Sequence, residues 1–158
     1  MTGRTARYPE FESFVTMRSI LYMYLYRTSV KESLIEGRGV FAMESIIKGS
    51  VVWKFDHQHD CTMSQEDFED LDNNMRSEIR KIGYVSPTSH NWVYPPENDP
   101  ARFTNHSSSS NNLSAVFDPH VSSEPFFVAN RNILEGEELT NNYGEFDESI
   151  KNAKPMWM

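Results

Sequence analysis

The sequence predicts a mainly β domain with one inserted helix. Short segments rich in aromatic and β-branched residues recur along the chain and are separated by turns that contain glycine or proline. Strands do not alternate with helices in the way that a parallel sheet requires. A length of 158 residues and a hydrophobic fraction of 38% fit one domain with its own core. We predict an N-terminal extension at residues 1–22, the domain at 23–146 and a C-terminal tail at 147–158.

The first predicted elements are strands. Residues 23–31, MYLYRTSVK, are rich in aromatic and β-branched side chains and predict a strand. Gly37 and Gly39 interrupt the apolar run that follows and indicate a tight turn. The segments GVFA and VVWKF predict two more strands, and a turn at residues 48–50 separates them. This part of the chain is therefore expected to form hairpins.

One helix is predicted at about residues 64–83. Ser64 is a natural N-cap, Asp67 gives a weaker form of the capping box, and Gly83 ends the helix. Acidic residues in the first turns and basic residues in the last favour the helix macrodipole. We interpret the segment as a solvated helix that packs on the β core. Residues at offsets of three and four form its apolar face: Phe68, Leu71, Met75, Ile79 and Ile82.

The second half of the chain has less regular patterns. Residues 84–100 are predicted to be loop, because YPPENDP contains strong turn signals. PFFVANRNI then predicts a strand, LEGEE a turn and LTNNYG a short final segment. Large aromatic residues along the chain are predicted to lie in the core rather than in a site: Trp53, Trp92, Phe117, Phe126 and Phe127.

Charge and cysteine content narrow the function classes. A formal net charge of −8 argues against nucleic acid as the main partner, since phosphate binding needs a basic face. The acidic balance suits a basic, lysine-bearing partner, although it is more often a solubility feature. The single cysteine, Cys61, excludes an internal disulfide and a zinc cluster of several thiolates, so no metal is expected. The chain shows no signal peptide and no apolar run of bilayer length, which predicts a soluble cytoplasmic or otherwise intracellular protein without a membrane partner.

Residues 102–111, RFTNHSSSSN, allow three interpretations: a flexible linker, a glycosylation acceptor or part of a ligand site. The acceptor pattern at residues 105–107 has no meaning in a cytoplasmic protein. Two other segments carry motifs of their own, GRGVFA at residues 37–42 and GEELTNNYGE at residues 136–145. Each motif is weak alone. Their order and spacing together make a specific combination, which favours the ligand site.

The three segments together resemble the motifs of the SET-domain family of protein-lysine methyltransferases. The family pattern has a Gly-x-Gly turn, then Arg-Phe-x-Asn-His-Ser, then Gly-Glu-Glu-Leu-Thr-x-Asp-Tyr-Gly, and the resemblance covers about residues 30–145. It implies a β fold of small curved sheets with a C-terminal pseudoknot. It also implies methyl transfer from S-adenosylmethionine to a lysine of a protein substrate. The small size, without cysteine-rich flanking modules, is similar to viral or bacterial members.

The resemblance implies a role for each matched residue. Tyr143 is similar to the catalytic tyrosine, whose hydroxyl lies near the sulfonium and the lysine nitrogen. Asn105 is similar to the residue whose amide hydrogen-bonds the cofactor's amino group, and His106 to one that meets the adenine edge mainly through its backbone. The remaining matches to the cofactor site are the turn residues Gly37, Arg38 and Gly39 and the supporting residues Arg102 and Phe103.

Several positions depart from the family pattern. Ser108 replaces the usual cysteine, Ser110 a frequent proline and Asn142 the usual aspartate. These changes motivate an alternative function, a SET-like protein-binding module with weak or no catalysis. A purely structural β domain would require all three motifs to be coincidental. In the C-terminal tail, Trp157 is either a lid aromatic that stacks on adenine or an incidental residue.

Overall fold

The computed structural model describes residues 24–151, and within them the fold is mainly β, as predicted. One sheet contains β1 (Thr28–Glu32), β2 (Arg38–Ala42), β7 (Asn105–His106) and β10 (Glu138–Asn141). Its spatial order is β1-β2-β10-β7. Strand β10 runs antiparallel to β2 and parallel to β7, so the last strand lies between two earlier ones, in keeping with the expected pseudoknot.

A second sheet has the order β3-β9-β8. It contains β3 (Val51–Trp53), β8 (Leu113–Val116) and β9 (Phe126–Ala129), all antiparallel. The segments VVWKF and PFFVANRNI therefore form strands, as their composition predicts. Strand β8 follows the serine-rich segment directly. The segment therefore connects β7 of the first sheet with β8 of the second and is not a linker between domains.

A third sheet has the order β4-β6-β5. It contains β4 (Cys61–Met63), β5 (Tyr84–Val85) and β6 (Trp92–Tyr94). The prediction that residues 84–100 are loop was wrong for β5 and β6. Strands of two and three residues are too short to show an alternating pattern, and they form because β6 pairs with β4 on one side and with β5 on the other.

The predicted single helix is two helices, α1 (Gln65–Glu69) and α2 (Asn73–Ile82). Ser64 caps α1, since its Oγ accepts from the backbone nitrogen of Asp67 at 3.0 Å. Asp72 is extended, with φ −65° and ψ 164°, and its Oδ1 accepts from Met75 N at 2.9 Å. Asx capping competes with helix continuation, so Asp72 begins a new helix where the pattern predicted an uninterrupted one.

Two clusters of buried side chains form the core. The main cluster joins the first two sheets and includes Val40, Leu113, Ile133 and Leu139, each at most 1% exposed. Each such aliphatic side chain contributes about 1.5–3 kcal/mol when fully buried. The smaller cluster packs α1 and α2 on the third sheet through Phe68, Ile79, Val85 and Trp92.

Two predicted core positions lie at the surface. Met75 is 52% exposed because α2 starts afresh at Asp72 and turns this residue outward. Phe117 is 50% exposed because it follows the last residue of β8 and leaves the sheet. The other predicted core aromatics, Trp53, Trp92, Phe126 and Phe127, are buried.

Some predictions fall outside the described residues, namely the N-terminal extension at residues 1–22 and Trp157. From residue 24 to residue 151, no helix is long and apolar enough to cross a bilayer. A short helix, α3 (Glu148–Lys151), ends the described chain.

Candidate functional site

The parallel pairing of β7 with β10 brings the RFTNH and NNYGE segments together. Asn141 is the register partner of His106, and the backbone nitrogen of Ser107 donates to the carbonyl of Asn141 at 3.0 Å. The backbone nitrogen of Tyr143 donates to His106 Nδ1 at 3.0 Å. This contact assigns the neutral imidazole tautomer with its proton on Nε2. The His106 side chain therefore has a structural role that the resemblance did not imply.

The Tyr143 side chain is held in a fixed direction. Its hydroxyl donates a 2.6 Å hydrogen bond to the backbone carbonyl of Thr104. Its ring packs on the main core beside Phe146, with centroids 5.9 Å apart. Burial raises the pKa of Tyr143 to about 12, and the negative charges of Glu36 and Asp147 act in the same direction. At neutral pH the phenol is therefore protonated and acts as a hydrogen-bond donor, not as a base.

Thr104 is held from its other side by Tyr24. The Tyr24 hydroxyl lies 2.5 Å from Thr104 Oγ1, and that hydroxyl donates to the carbonyl of Ala101 at 3.0 Å. Because the threonine hydroxyl has a single proton, Tyr24 must be the donor in the first contact. Burial raises the pKa of Tyr24 well above its ordinary value, which keeps it protonated for this role. Two tyrosines thus fix one backbone segment.

A 3-10 helix at Pro100–Phe103 places the residues that precede Thr104. Asp99 caps it, with Oδ1 accepting from Ala101 N at 2.7 Å. Arg102 Nε donates to the carbonyl oxygens of Pro95 and Pro96 at 3.2 and 2.7 Å. The guanidinium of Arg38 lies 5.8 Å from the centre of the Phe103 ring, within cation–π range. Arg102 therefore supports the loop, while Phe103 faces the glycine turn.

The Asn105 side chain ties β7 to the glycine turn. Its Nδ2 lies 3.1 Å from the carbonyl oxygen of Glu36 and 2.9 Å from that of Arg38. The same nitrogen lies 2.8 Å from Glu138 Oε1. Among the described residues, Asn105 Oδ1 has no hydrogen-bond partner. The nitrogen is thus used within the protein, whereas the oxygen is available to a ligand.

The two glycines of the turn are required for different reasons. Gly37 has a positive φ of +46°, a conformation that glycine adopts without strain. At Gly39, a Cβ atom would collide with Oε1 of Glu138. The second glycine is thus explained by the approach of a protein side chain, whereas the resemblance implies only that this turn belongs to the cofactor site.

The tyrosines border a cavity of about 660 Å³. Its lining includes Tyr24, Thr104, Phe127 and Tyr143 together with parts of α1, α2 and α3. Asp60 also lines it, and burial raises the pKa of its carboxyl to about 7. The volume lies within the range of small-ligand sites, and the lining combines aromatic side chains with many polar and charged ones. Within residues 24–151, no three or more His, Cys, Asp or Glu side chains form a group that could hold a metal ion.

The residues that depart from the family pattern keep the local geometry. Ser110 N donates to Ser107 Oγ at 3.0 Å, which closes a turn where proline is frequent. Asn142 Oδ1 accepts from Gly144 N at 3.0 Å and caps the 3-10 helix Tyr143–Glu145, which an aspartate could do equally well. Ser108 is exposed and lies within the turn that Ser107 and Ser110 close.

Sequence reasoning missed three residues of the site. Tyr24 lies 80 residues before Thr104, and no motif connects them. Thr104 occupies the variable position of the Arg-Phe-x-Asn-His pattern and acts through its carbonyl, which sequence does not display. Glu138 belongs to the GEEL motif, but the sequence does not show that its side chain contacts Asn105 and Ser33.

Comparisons with known proteins identify the family and support the fold. A family model for the SET domain matches residues 37–144. The structure is similar to a crystal structure of a candidate histone methyltransferase from Plasmodium falciparum, with a TM-score of 0.52, 18% identity and coverage of 84% of this chain and 98% of that one.

A second similar structure is a humanized mutant of the Chaetomium thermophilum Polycomb Repressive Complex 2 bound to an inhibitor. Its TM-score is 0.55 at 22% identity, with coverage of 77% of this chain and 15% of that one. At these identities both structures support the fold alone. Among curated proteins, none matches the sequence.

Proposed function

Since the chain belongs to the SET-domain family, we propose that it transfers a methyl group from S-adenosylmethionine to a lysine side chain of a protein substrate. The observation that carries the proposal is the Tyr143 hydroxyl, fixed by its 2.6 Å bond to the Thr104 carbonyl at the wall of the cavity. A hydroxyl and a carbonyl held in place beside an aromatic cavity suit a reaction that depends on alignment more than on proton transfer.

The groups around the glycine turn suit the cofactor's amino-acid end. Asn105 Oδ1, which has no partner among residues 24–151, would accept from the cofactor's amino group. The turn at Gly37, Arg38 and Gly39 would contact the same end through its backbone. His106 would meet the adenine edge through its backbone while its ring holds Tyr143. Arg102 and Phe103 would support this loop and line the site.

The reaction is an in-line displacement. S-adenosylmethionine, when bound, would supply an electrophilic methyl group. A neutral lysine nitrogen would take that group while sulfur keeps the electron pair of the broken carbon–sulfur bond, and the nitrogen would then release a proton to solvent. A free lysine has a pKa of about 10.4, so it must lose its proton before attack. Desolvation against the aromatic side chains of the cavity would disfavour an ammonium, whereas carboxylates in the same lining, such as Glu69 and Asp147, would favour one. Tyr143 contributes a fixed hydroxyl, and the Thr104 carbonyl can accept weak C–H···O contacts from the methyl group.

Local geometry favours an enzyme over a binding module that has lost catalysis. Asn142 and Ser110 replace the usual residues, yet both make the hydrogen bonds that maintain the loops around Tyr143. A lost activity would be expected to leave Tyr143 without orientation, whereas its hydroxyl, ring and backbone nitrogen all have partners.

The division of the chain and its setting remain part of the proposal. We propose that residues 23–146 are the catalytic domain, with an N-terminal extension at 1–22 and a tail at 147–158 that contributes Trp157 to the site. We also propose that the protein acts inside the cell on a lysine-containing protein. The net charge of −8 suits a substrate with a basic surface.

Methyl transfer from labelled S-adenosylmethionine into cell-lysate proteins tests the proposal. We expect label in protein lysines with the wild-type chain and much less with Tyr143→Phe as the matched control. Calorimetry with S-adenosylmethionine accompanies the assay. Binding without transfer would support the binding module, and the absence of binding would support a structural domain.

A further inference from the structure

Among residues 24–151, the hydrogen-bond partners of the Glu138 carboxylate are uncharged side chains. Its side chain is partly buried on β10, and within residues 24–151 no lysine or arginine nitrogen forms an ion pair with it. It accepts from Ser33 Oγ, which lies 2.9 Å from Oε1 and 2.8 Å from Oε2, and from Asn105 Nδ2. A partly buried negative charge costs free energy unless hydrogen bonds or cations compensate it, so the position of Glu138 needs an explanation.

The three acceptors around Asn105 fix the direction of its amide. An amide nitrogen carries two protons, and here the carbonyls of Glu36 and Arg38 and the carboxylate of Glu138 all face it. If the amide were rotated by 180°, its oxygen would face three other oxygen acceptors. The Glu138 bond is the shortest of the three, at 2.8 Å, and involves a charge, so it makes the largest contribution to this preference.

The Glu138 side chain is itself positioned from the opposite side. Ser33 Oγ donates to the carboxylate and accepts from Ile35 N at 2.9 Å, so the hairpin between β1 and β2 orients it. The backbone of β10 is held separately, because Asn112 Nδ2 donates to the carbonyl of Glu138 at 2.8 Å and Asn112 Oδ1 accepts from Thr140 N. Removing the carboxylate should therefore leave the strand in place.

We propose that Glu138 is a positioning residue that keeps Asn105 Oδ1 directed towards the ligand and thereby selects ligands with a protonated α-amino group. This inference rests on the proposed function. The Glu138 carboxylate supplies the negative charge that makes this end of the site favourable for an ammonium. The ligand class is a thioether or sulfonium nucleoside that carries an amino acid, in contrast to one that ends at the sulfur.

Calorimetry with two ligands tests the role. S-adenosylhomocysteine carries the amino acid, whereas methylthioadenosine ends at the sulfur and lacks it. Glu138→Ala removes the acceptor, Glu138→Gln keeps the shape and removes the charge, and Glu135→Gln is a matched control that changes the same charge at an exposed residue of the preceding turn. Thermal unfolding of each variant checks that the domain remains folded.

We expect Glu138→Ala to weaken S-adenosylhomocysteine at least about tenfold, which corresponds to about 1.4 kcal/mol, with methylthioadenosine unchanged. Glu138→Gln should show a smaller loss and Glu135→Gln none. In turnover assays, KM for S-adenosylmethionine should rise more than kcat falls. An equal loss for both ligands would mean a general structural role and would overturn the inference, as would no loss. A wild-type chain that binds neither ligand would overturn the proposed function as well.

Discussion

The imidazole of His106 accepts a hydrogen bond from the backbone nitrogen of Tyr143 at 3.0 Å, and the two rings lie 4.9 Å apart. His106 thus holds the backbone of the tyrosine to which we assign catalysis. Substitutions at His106 should consequently affect turnover, even if the residue meets the cofactor only through its backbone.

A comparison of His106→Gln with His106→Ala tests this link. Glutamine can still present an oxygen to Tyr143 N, whereas alanine leaves that exposed donor to solvent, a net loss of about 0.5–1.5 kcal/mol. We expect kcat to fall several times further in His106→Ala than in His106→Gln. Steady-state kinetics measure the difference, and equal rates in the two variants would show that the contact has no effect on turnover.

Tyr143→Phe removes one hydroxyl and keeps the ring in the core. We expect methyl transfer to fall at least about tenfold, a loss of about 1.4 kcal/mol of transition-state stabilisation. The free energy of unfolding should fall by only about 1 kcal/mol, the net contribution of one hydrogen bond, and the affinity for S-adenosylmethionine should change less than the rate. Full turnover in this variant would exclude the assigned role.

Asp60 should make stability depend on pH near neutrality. Its folded pKa of about 7 lies above its ordinary value of 3.8, and burial is the main cause. The hydrogen bond from the backbone nitrogen of Asp56 opposes this shift, while the negative charge of Asp99 adds to it and His59 lowers the pKa. Its favourable contribution is therefore complete below pH 3.8 and is lost as pH rises through about 7.

Asp60→Asn imitates the neutral carboxyl at every pH. We expect this variant to be more stable than the wild type at pH 8 and equally stable at pH 4, measured by urea unfolding. If the variant and the wild type differed in stability by the same amount at pH 4 and pH 8, Asp60 would not titrate between these two pH values.

Gly39 and Glu138 should behave as one unit. A Cβ at residue 39 would displace the Glu138 carboxylate from Asn105, so Gly39→Ala should weaken S-adenosylhomocysteine binding in the same way as Glu138→Ala. The double variant should then lose little more than either single one. A double-mutant cycle measures the coupling, and fully additive losses would mean that the two residues act independently.

Four acidic residues in α1 and directly after it should make binding of the protein substrate depend on salt concentration. Glu69 lines the cavity and pairs with Arg76 at 3.1 Å, while Glu66, Asp67 and Asp70 lie beside it. The screening length falls from about 10 Å at 0.1 M salt to about 3 Å at 1 M. We expect KM for a lysine-containing protein to rise over this range while KM for S-adenosylmethionine hardly changes.

Replacing these four acidic residues by their amides should flatten that response. A substrate KM that is insensitive to both salt and the substitutions would mean that the acidic segment serves solubility alone.

The motifs predicted the family and the segments of the site because each contains residues whose type has a local reason. Gly37 needs its positive φ, and Asn105 needs an amide with a donor on one side and an acceptor on the other. Each such requirement leaves only a weak trace by itself, and the traces become specific because the three segments occur together in this order and at this spacing.

Tyr24 and Thr104 left no such trace, because one acts across 80 residues and the other through its backbone. Any hydroxyl at the correct place could serve as Tyr24 does, so its identity is set by tertiary structure alone. The break between α1 and α2 was missed because the apolar spacing continues through Asp72, although its side chain ends that periodicity locally.

The position of β10 between β2 and β7 also matters during synthesis. The ribosome produces β2 and β7 long before β10, so a nascent chain must carry two unpaired strand edges until about residue 141 has emerged. Open edges of this kind invite pairing with other chains. Neither a stable first sheet nor a complete site can precede the last strand, which makes folding of this domain a late, non-local event and makes stalled or truncated chains prone to aggregation.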